Sequence, residues 1–523
     1  MILPAVPERA VDELGRTEGG PETLGLLVRD QHTRRLLLLR AVLDAAESAA
    51  PDLCPAAALK RLREDWSLLE EAERLERYPH PRERPREGRP PAAERSYGLA
   101  GSPPTADGTH GPAGSARPAE AQTASANQER ESPVRAFLRH PFIGPWARDT
   151  LRALGPGPGP GRDGREQARA LAHFGALAAA AAARAGVSYS LRLTAHGGVL
   201  ALPSLGTLHT GGPGSKTEVS IVHRRGLLTL RRRGEADVLV RPQSGTGAWS
   251  ESAAWTSAYT LPGLVPGSAA VPLDDLDPYR TARGGPRPDT LSGPANLEEA
   301  DRKHWLHTWS GTAAALATGG EHRLAESVTL LRCLVPLAAP PGSVPGGTGG
   351  SCSGTRREAF GAVLSSAPAT ATAFAATLVH EIQHTKLAAL SDMMTLHHAS
   401  PSRRHFAPWR PDPRPYDGLL QGAYSHLALA DFFQRSALAA TLPARRDAAW
   451  AQHARCQAQV GAVLPALVGS GDLTVRGRQF VDRMVEVYER LAEQPPPRGH
   501  AARATAYVQA ARGLWNRRHA PGE

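Results

Sequence analysis

Apolar residues recur at helical spacing soon after the chain begins. Leu24, Leu27 and Val28, then Leu36 to Leu39, Val42 and Leu43, follow Pro21-Glu22-Thr23, which puts a proline and an acid in a first turn. The spacing predicts one helix there and a second from about Pro55 to Arg77. Residues 78–132 lose the periodicity. HPRERPREGRPP and the Pro/Gly/Ser/Ala-rich stretch after it read as a disordered linker or insertion. Order returns from Val134 with FLRHPFIGPWARDTLRAL, a Gly-Pro tract intervenes at 155–161, and an Ala-rich helix is predicted over 165–185.

Between 187 and 262 the period changes to two. VSYSLRLTAHGGVLALP places two alternating runs around His196-Gly197-Gly198, a hairpin signal, and TEVSIVHRRGLLTLRRRGEADVLVRP repeats the pattern. After LDDLDPYR (273–280) the pattern is mostly helical to the end, with a Pro/Gly/Ser-rich break at 339–355. The expected fold is α+β: a central antiparallel β region flanked by a predominantly helical C-terminal half that carries the metal-site helices. The expected organisation is an N-terminal helical segment (1–77), the linker or insertion (78–132) and one domain over 133–520. Within that domain 187–262 is β-rich and 290–520 is helical.

Composition narrows the class. A chain of 523 residues, 41% hydrophobic and 21% charged, is neither wholly disordered, nor a collagen, nor a coiled coil. The net charge is +10, yet only four of the 61 basic residues are Lys (Lys60, Lys216, Lys303, Lys386). Arg scattered among Ala, Gly and Pro reads as solvated surface. No nucleic-acid motif is visible, and no nucleic-acid partner is expected. The four Cys (Cys54, Cys333, Cys352, Cys456) have no CxxC spacing, which argues against a disulfide framework and a Cys-type zinc site. The start of the chain lacks a signal-peptide pattern, and the apolar run Leu171–Ala183 is too short to span a bilayer. A cytoplasmic protein with no membrane partner is expected.

One motif stands out. His380-Glu381-Ile382-Gln383-His384 lies in a stretch of helix formers, 371–396, without Gly or Pro. On a helix, residues i and i+4 share a face, so two imidazoles can hold one metal ion with Glu381 beside it. The third ligand decides the chemistry. A metzincin needs Gly at 387 and His at 390, and both positions hold Leu; a thermolysin-like site needs a downstream Glu, and the next is Glu486. The nearer candidates are His397, His398, His405, His426, Asp392 and Asp431. His397 and His398 are expected to end the motif helix, too far along its axis to share the ion. His426 lies in GLLQGAYSHLALADFFQR, a second apolar helix able to deliver a ligand from across the core, with Asp431 in reserve. The loop HFAPWRPDPRPY (405–416) is stiffened by Pro and carries Arg410 and Arg414. These either bind a carboxylate of a ligand or pair with Asp412 or Asp417.

Together, LVHEIQHTKLAAL, FAPWRPDPRPYDGLLQGAYSHLA, TRREAFGAV (355–363) and LDDLDPYR resemble the HExxH-motif proteins of bacterial clusters for ribosomally made, post-translationally modified peptides. Some of these are 2-oxoglutarate-dependent peptide β-hydroxylases. The likeness covers about 20–75 and 134–515 and departs at 78–132 and 341–354. It implies Fe(II) held by His380, His384 and His426, with 2-oxoglutarate and O2 as co-substrates. It also implies that Arg410 or Arg414 anchors the distal carboxylate of 2-oxoglutarate. Whether Glu381, Asp431 or neither completes the ligand shell stays open. The implied substrate is a side-chain Cβ–H of a precursor peptide, and other enzymes that modify that peptide are possible partners. Two alternatives stand beside it. A Zn(II) metallopeptidase would use Glu381 as catalytic general base, with Tyr416 or Tyr424 at the oxyanion. A non-catalytic peptide binder would use the basic hairpin HRRG…LRRRG (223–234) for strand addition, although the favoured reading of that hairpin is an edge strand guarded by charge.

Overall fold

The computed structural model describes residues 5–77, 133–155, 164–212, 216–282, 292–340 and 352–519. The linker expected at 78–132 lies outside them, as do 341–351 and most of the Gly-Pro tract. Six helices come first: α1 (Glu8–Gly15), α2 (Pro21–Ser48), α3 (Ala56–Arg77), α4 (Pro133–Leu138), α5 (Ile143–Leu154) and the Ala-rich α6 (Gly164–Ala185). Strands β1 (Tyr189–His196), β2 (Val199–Leu202), β3 (Gly206–His209), β4 (Lys216–Arg224), β5 (Leu227–Arg232), β6 (Val238–Pro242), β7 (Ala248–Trp249) and β8 (Trp255–Ser257) form an antiparallel sheet, in the order β7-β6-β5-β4-β1-β2-β3-β8. The α+β class is as expected. The predicted hairpin closes at His196↔Val199, with Gly197 and Gly198 at φ 65° and 79°, the two left-handed positions a two-residue turn needs.

The stretch read as mostly helical after LDDLDPYR contributes three strands to a second sheet. Strands β9 (Tyr259–Leu261) and β10 (Val271–Leu273) lead into helices α7 (Glu299–Ser310), α8 (Thr312–Thr318) and α9 (Glu321–Leu330). Then come β11 (Cys333–Leu337), β12 (Ser353–Thr355) and β13 (Ala362–Ser366), giving the order β12-β13-β11-β10-β9. β11 runs parallel to β10 and β13, while β12 is antiparallel at one edge. Every residue of β11 and β13 is buried, because both faces of this sheet are covered. Alternate residues therefore enter different cores. Leu334 and Val363 join one cluster, whereas Cys333, Val335, Ala362 and Leu364 join the other. A five-residue run that is apolar throughout shows no alternation in sequence, and Pro336 hides it further.

Two further expectations change. The basic hairpin is not an edge, since β4 and β5 lie inside the eight-stranded sheet and its edges are β7 and β8. Strand addition there has no free backbone to use. The motif helix α10 (Ala371–Met393) also stops short of His397 and His398, which lie in extended backbone paired with Leu473 and Asp472. The chain ends in α11 (Tyr416–Ala439), α12 (Pro443–Gly461), α13 (Leu464–Val468), α14 (Val475–Ala492) and α15 (Arg498–His519).

α10 is buried around most of its circumference, by Phe374, Leu378, Val379, Ile382, Leu387 and Leu390 among others. Two of the polar side chains it carries inward, Lys386 and Gln383, meet Glu326. Lys386, fully buried, gives its Nζ to Glu326 Oε1 at 2.6 Å and to the Thr17 carbonyl at 3.0 Å, and Gln383 donates to Glu326 Oε2 at 3.3 Å. Arg323 completes the cluster at 3.4 Å from both Glu326 and Asp431. Burial alone would raise the Glu326 carboxyl, but Lys386 and Arg323 outweigh it and hold it below its ordinary value. Glu326→Ala leaves Lys386 charged and unpaired in the core. It is expected to cost about 3–5 kcal/mol, the usual penalty for breaking a buried pair. Denaturant unfolding measures this, and a loss under 1 kcal/mol on that order-of-magnitude scale would mean the cluster does not hold α10.

Candidate metal centre

Thr370 starts α10 by accepting the Ala373 N–H on its hydroxyl at 3.1 Å, and helix geometry then stacks His380 and His384 on one face. Their Nε2 atoms lie 3.1 Å apart. The facing helix α11 brings His426, whose ring centroid is 5.3 Å from that of His380. Two contacts set the tautomers. The Nδ1–H of His384 meets Gln421 Oε1 at 3.1 Å, and the Nδ1–H of His426 meets the Gly422 carbonyl at 2.8 Å. In both rings Nε2 keeps its lone pair, the arrangement that metal-binding imidazoles require. Burial, with His384 and His426 adding to it, holds His380 well below its ordinary pKa, and burial brings His426 down to about 4. Both are neutral at pH 7, which is the ligand form. Two nitrogens each about 2.0–2.1 Å from one ion lie roughly 3 Å apart, so the His380–His384 spacing fits a shared metal.

Glu381 turns away from the imidazole face toward β12. Its Oε1 accepts the Ser353 hydroxyl at 2.7 Å, while Oε2 is buried without a hydrogen bond among the described residues. Burial raises its pKa, with His384 and Ser353 pulling the other way. Trp409, from the Pro-rich loop, stacks on His426 at 4.6 Å and 21°. Gly422 makes this possible: a Cβ there would lie 2.3 Å from the indole. Arg414 rests against Gly418 one turn earlier. Both loop arginines pair with Asp412, Arg410 through Nε at 2.8 Å and Arg414 through Nη1 at 3.2 Å.

The remaining candidates have other roles. Asp431 is buried among Arg435, Arg490 and Arg323. Burial would raise it, and the three guanidinium groups hold it low instead. Asp392 pairs with Arg357 at 2.6 Å and accepts from Gln31 at 3.0 Å. His397 and His405 pack edge-on to Tyr416. Tyr416 and Tyr424 donate their hydroxyls to the carbonyls of Leu467 and Leu14, at 3.3 and 2.6 Å. Away from the helix pair, His140, Asp274 and Cys333 bring ligand-type atoms within 4.8 Å of one another. Asp274 Oδ1 already anchors a turn there by accepting the N–H groups of Leu276 and Asp277.

Sequence reasoning missed Gln421, Ser353 and Trp409. The spacing of Gly418, Gly422 and His426 at intervals of four marks the face on which the loop lies. Nothing local marks Gln421 or Ser353, whose partners are 37 and 28 residues away. None of the four Cys forms a disulfide, and among the described residues no helix is long and apolar enough to cross a membrane.

Gln421→Ala is expected to weaken metal binding by about 10–100-fold, the usual effect of losing the partner that orients a ligand imidazole. Competition against a chelator reads this, and unchanged affinity would mean His384 needs no such partner. Gly422→Ala forces Trp409 off His426, at an expected cost of about 1–3 kcal/mol. A melting temperature and Trp emission identical to the parent protein would show that the loop adjusts freely. No protein-family model matches this chain and no curated protein matches it, so the functional reading rests on these residues.

Proposed function

We propose that this protein is an Fe(II)- and 2-oxoglutarate-dependent hydroxylase acting on a side-chain Cβ–H of a ribosomally made precursor peptide. The observation that carries this is the convergence of the HExxH imidazoles, with the Nδ1–H groups of His384 and His426 tied off by Gln421 and Gly422. The motifs shared with the peptide-modifying HExxH proteins supply the choice of reaction.

His380, His384 and His426 would hold the iron. When bound, Fe(II) with 2-oxoglutarate supplies O2 chemistry in which one oxygen atom enters the C–H bond and the other enters succinate as CO2 leaves. The protein's own groups suit that use. A bound imidazole brings no charge of its own, so the full charge of the cation would remain to attract an anionic keto acid. Three carboxylates do not compete: Asp431 and Glu326 are paired with buried cations, and Asp392 with Arg357. Arg410 and Arg414 each use one N–H on Asp412. Their other N–H groups are the ones a 2-oxoglutarate carboxylate would take. Trp409 covers one face of His426 and keeps water off it.

One observation favours a second reading, a zinc peptidase. Glu381 is buried, its Oε2 has no close hydrogen bond among the described residues, and burial raises its pKa against the pull of Ser353 and Thr355, all suited to a general base.

The test is anaerobic reconstitution with Fe(II) and a visible-absorption titration with 2-oxoglutarate. A charge-transfer band that needs both, and that is lost in His380→Ala, is expected. A co-expressed precursor peptide should gain the mass of one oxygen. Glu381→Gln should retain the band. Tight zinc in the purified protein, no band, and peptide fragments that vanish in Glu381→Gln would replace the hydroxylase with the peptidase.

A further inference from the structure

We infer that His140, Asp274 and Cys333 form a second metal site, built for a divalent cation of the zinc type. Their ligand atoms lie within 4.8 Å of one another. The three come from separate places: the turn after α4, the segment after β10, and the first residue of β11. None belongs to α10, α11 or the loop between them, so the site does not share a ligand with the imidazole centre.

Each side chain is held in place yet keeps donor capacity. Asp274 Oδ1 accepts the N–H groups of Leu276 and Asp277 at 3.0 and 2.8 Å, which fixes the carboxylate. Its Oδ2 has no hydrogen bond among the described residues and is not sealed from solvent. The His140 ring packs edge-on to Phe142, and its Nδ1 receives the Phe142 N–H at 3.5 Å, the outer limit of a hydrogen bond. Cys333 Sγ lies 3.5 Å from the Leu334 carbonyl, a weak contact for a thiol. An ion can reach the cluster. His140 and Asp274 are partly exposed and together line a cavity of about 10 Å3, close to the space one water needs. Cys333 is buried and backs the cluster from the core.

The donor set selects the metal. Thiolate, imidazole and carboxylate are the ligands zinc takes, and the thiolate disfavours the oxygen-seeking Mg(II) and Ca(II). Zinc holds sulfur at about 2.3 Å and nitrogen or oxygen at about 2.0–2.2 Å, which sets its ligand atoms about 3.3–3.8 Å apart. The side chains therefore draw in by at most about 1.5 Å on binding. A water in the cavity supplies the fourth ligand. The Cys333 thiol gives its proton to solvent as the sulfur becomes a thiolate, one proton for each ion bound. The ion pins the turn after α4 to the five-stranded sheet at β10 and β11.

The test titrates the full chain, stripped of metal by a chelator and kept reduced without air, with Co(II) as a coloured stand-in for Zn(II). A thiolate-to-cobalt charge-transfer band in the near ultraviolet is expected, which three imidazoles cannot produce. Zn(II) should abolish the band and Mg(II) should leave it. Cys333→Ser should remove it. His140→Ala, at a partly exposed position, should weaken Co(II) binding read at this band. The loss should exceed the roughly tenfold that losing an outer hydrogen-bond partner costs. This variant keeps the test decisive if Cys333→Ser does not fold. His380→Ala should leave the band in place, which separates this site from the imidazole centre. No band in the parent protein, a band that survives Cys333→Ser, a band indifferent to His140→Ala, or one lost in folded His380→Ala would each overturn the inference.

Discussion

A helix buried on nearly every side must find partners for the polar groups it carries inward, and α10 carries several. Lys386 and Gln383 are met by Glu326 from α9, Glu381 by Ser353 from β12, and His384 by Gln421 from α11. Each partner lies on a different element, so the neighbours of α10 are fixed in place by hydrogen bonds as well as by packing. Once those requirements are met, the Nε2 atoms of His380 and His384 face each other. The candidate metal centre lies on the one face of α10 where two imidazoles meet.

The five-stranded sheet carries the same logic to a larger scale. Because β11 and β13 are covered on both faces, the sheet divides the interior into two cores. One holds α10 and α11, and the other holds α6 and the eight-stranded sheet. α2 runs past both, with Leu24 and Leu27 in the first and Leu39 and Val42 in the second. Where it crosses, Arg35 is buried and donates to the carbonyls of Arg139 and Phe360. Burial lowers that guanidinium to about 9, a sign of how little water reaches the seam.

Charge is sorted between neighbouring places. Around Asp431 and Glu326, buried carboxylates meet buried cations; beside His380 stand the imidazoles of His384 and His426. That arrangement suits a metal that must keep positions open for an anionic co-substrate.

Helical period, turn residues and a local motif were legible in the chain itself. The long helices at 21–48 and 56–77, the Gly197-Gly198 hairpin and the pairing of His380 with His384 are all interactions between residues a few positions apart, so local pattern is enough to specify them. His426 was legible as a histidine on an apolar helix, and the Asp412 pairing of Arg410 and Arg414 as one of two options in a Pro-rich loop. Other features depend on residues far apart in the chain meeting in space. β11 and β13 lack alternation because both their faces are buried, and that follows from what packs on them. The basic hairpin became interior because β6 and β1 flank it. Asp431 was removed from the ligand candidates by Arg323 and Arg490, 108 and 59 residues away. Gln421 and Ser353 became partners of the motif only because α11 and β12 pack against α10. Short-range geometry is written in the order of residues, whereas the partner of a buried polar group is chosen by whichever distant element packing brings beside it.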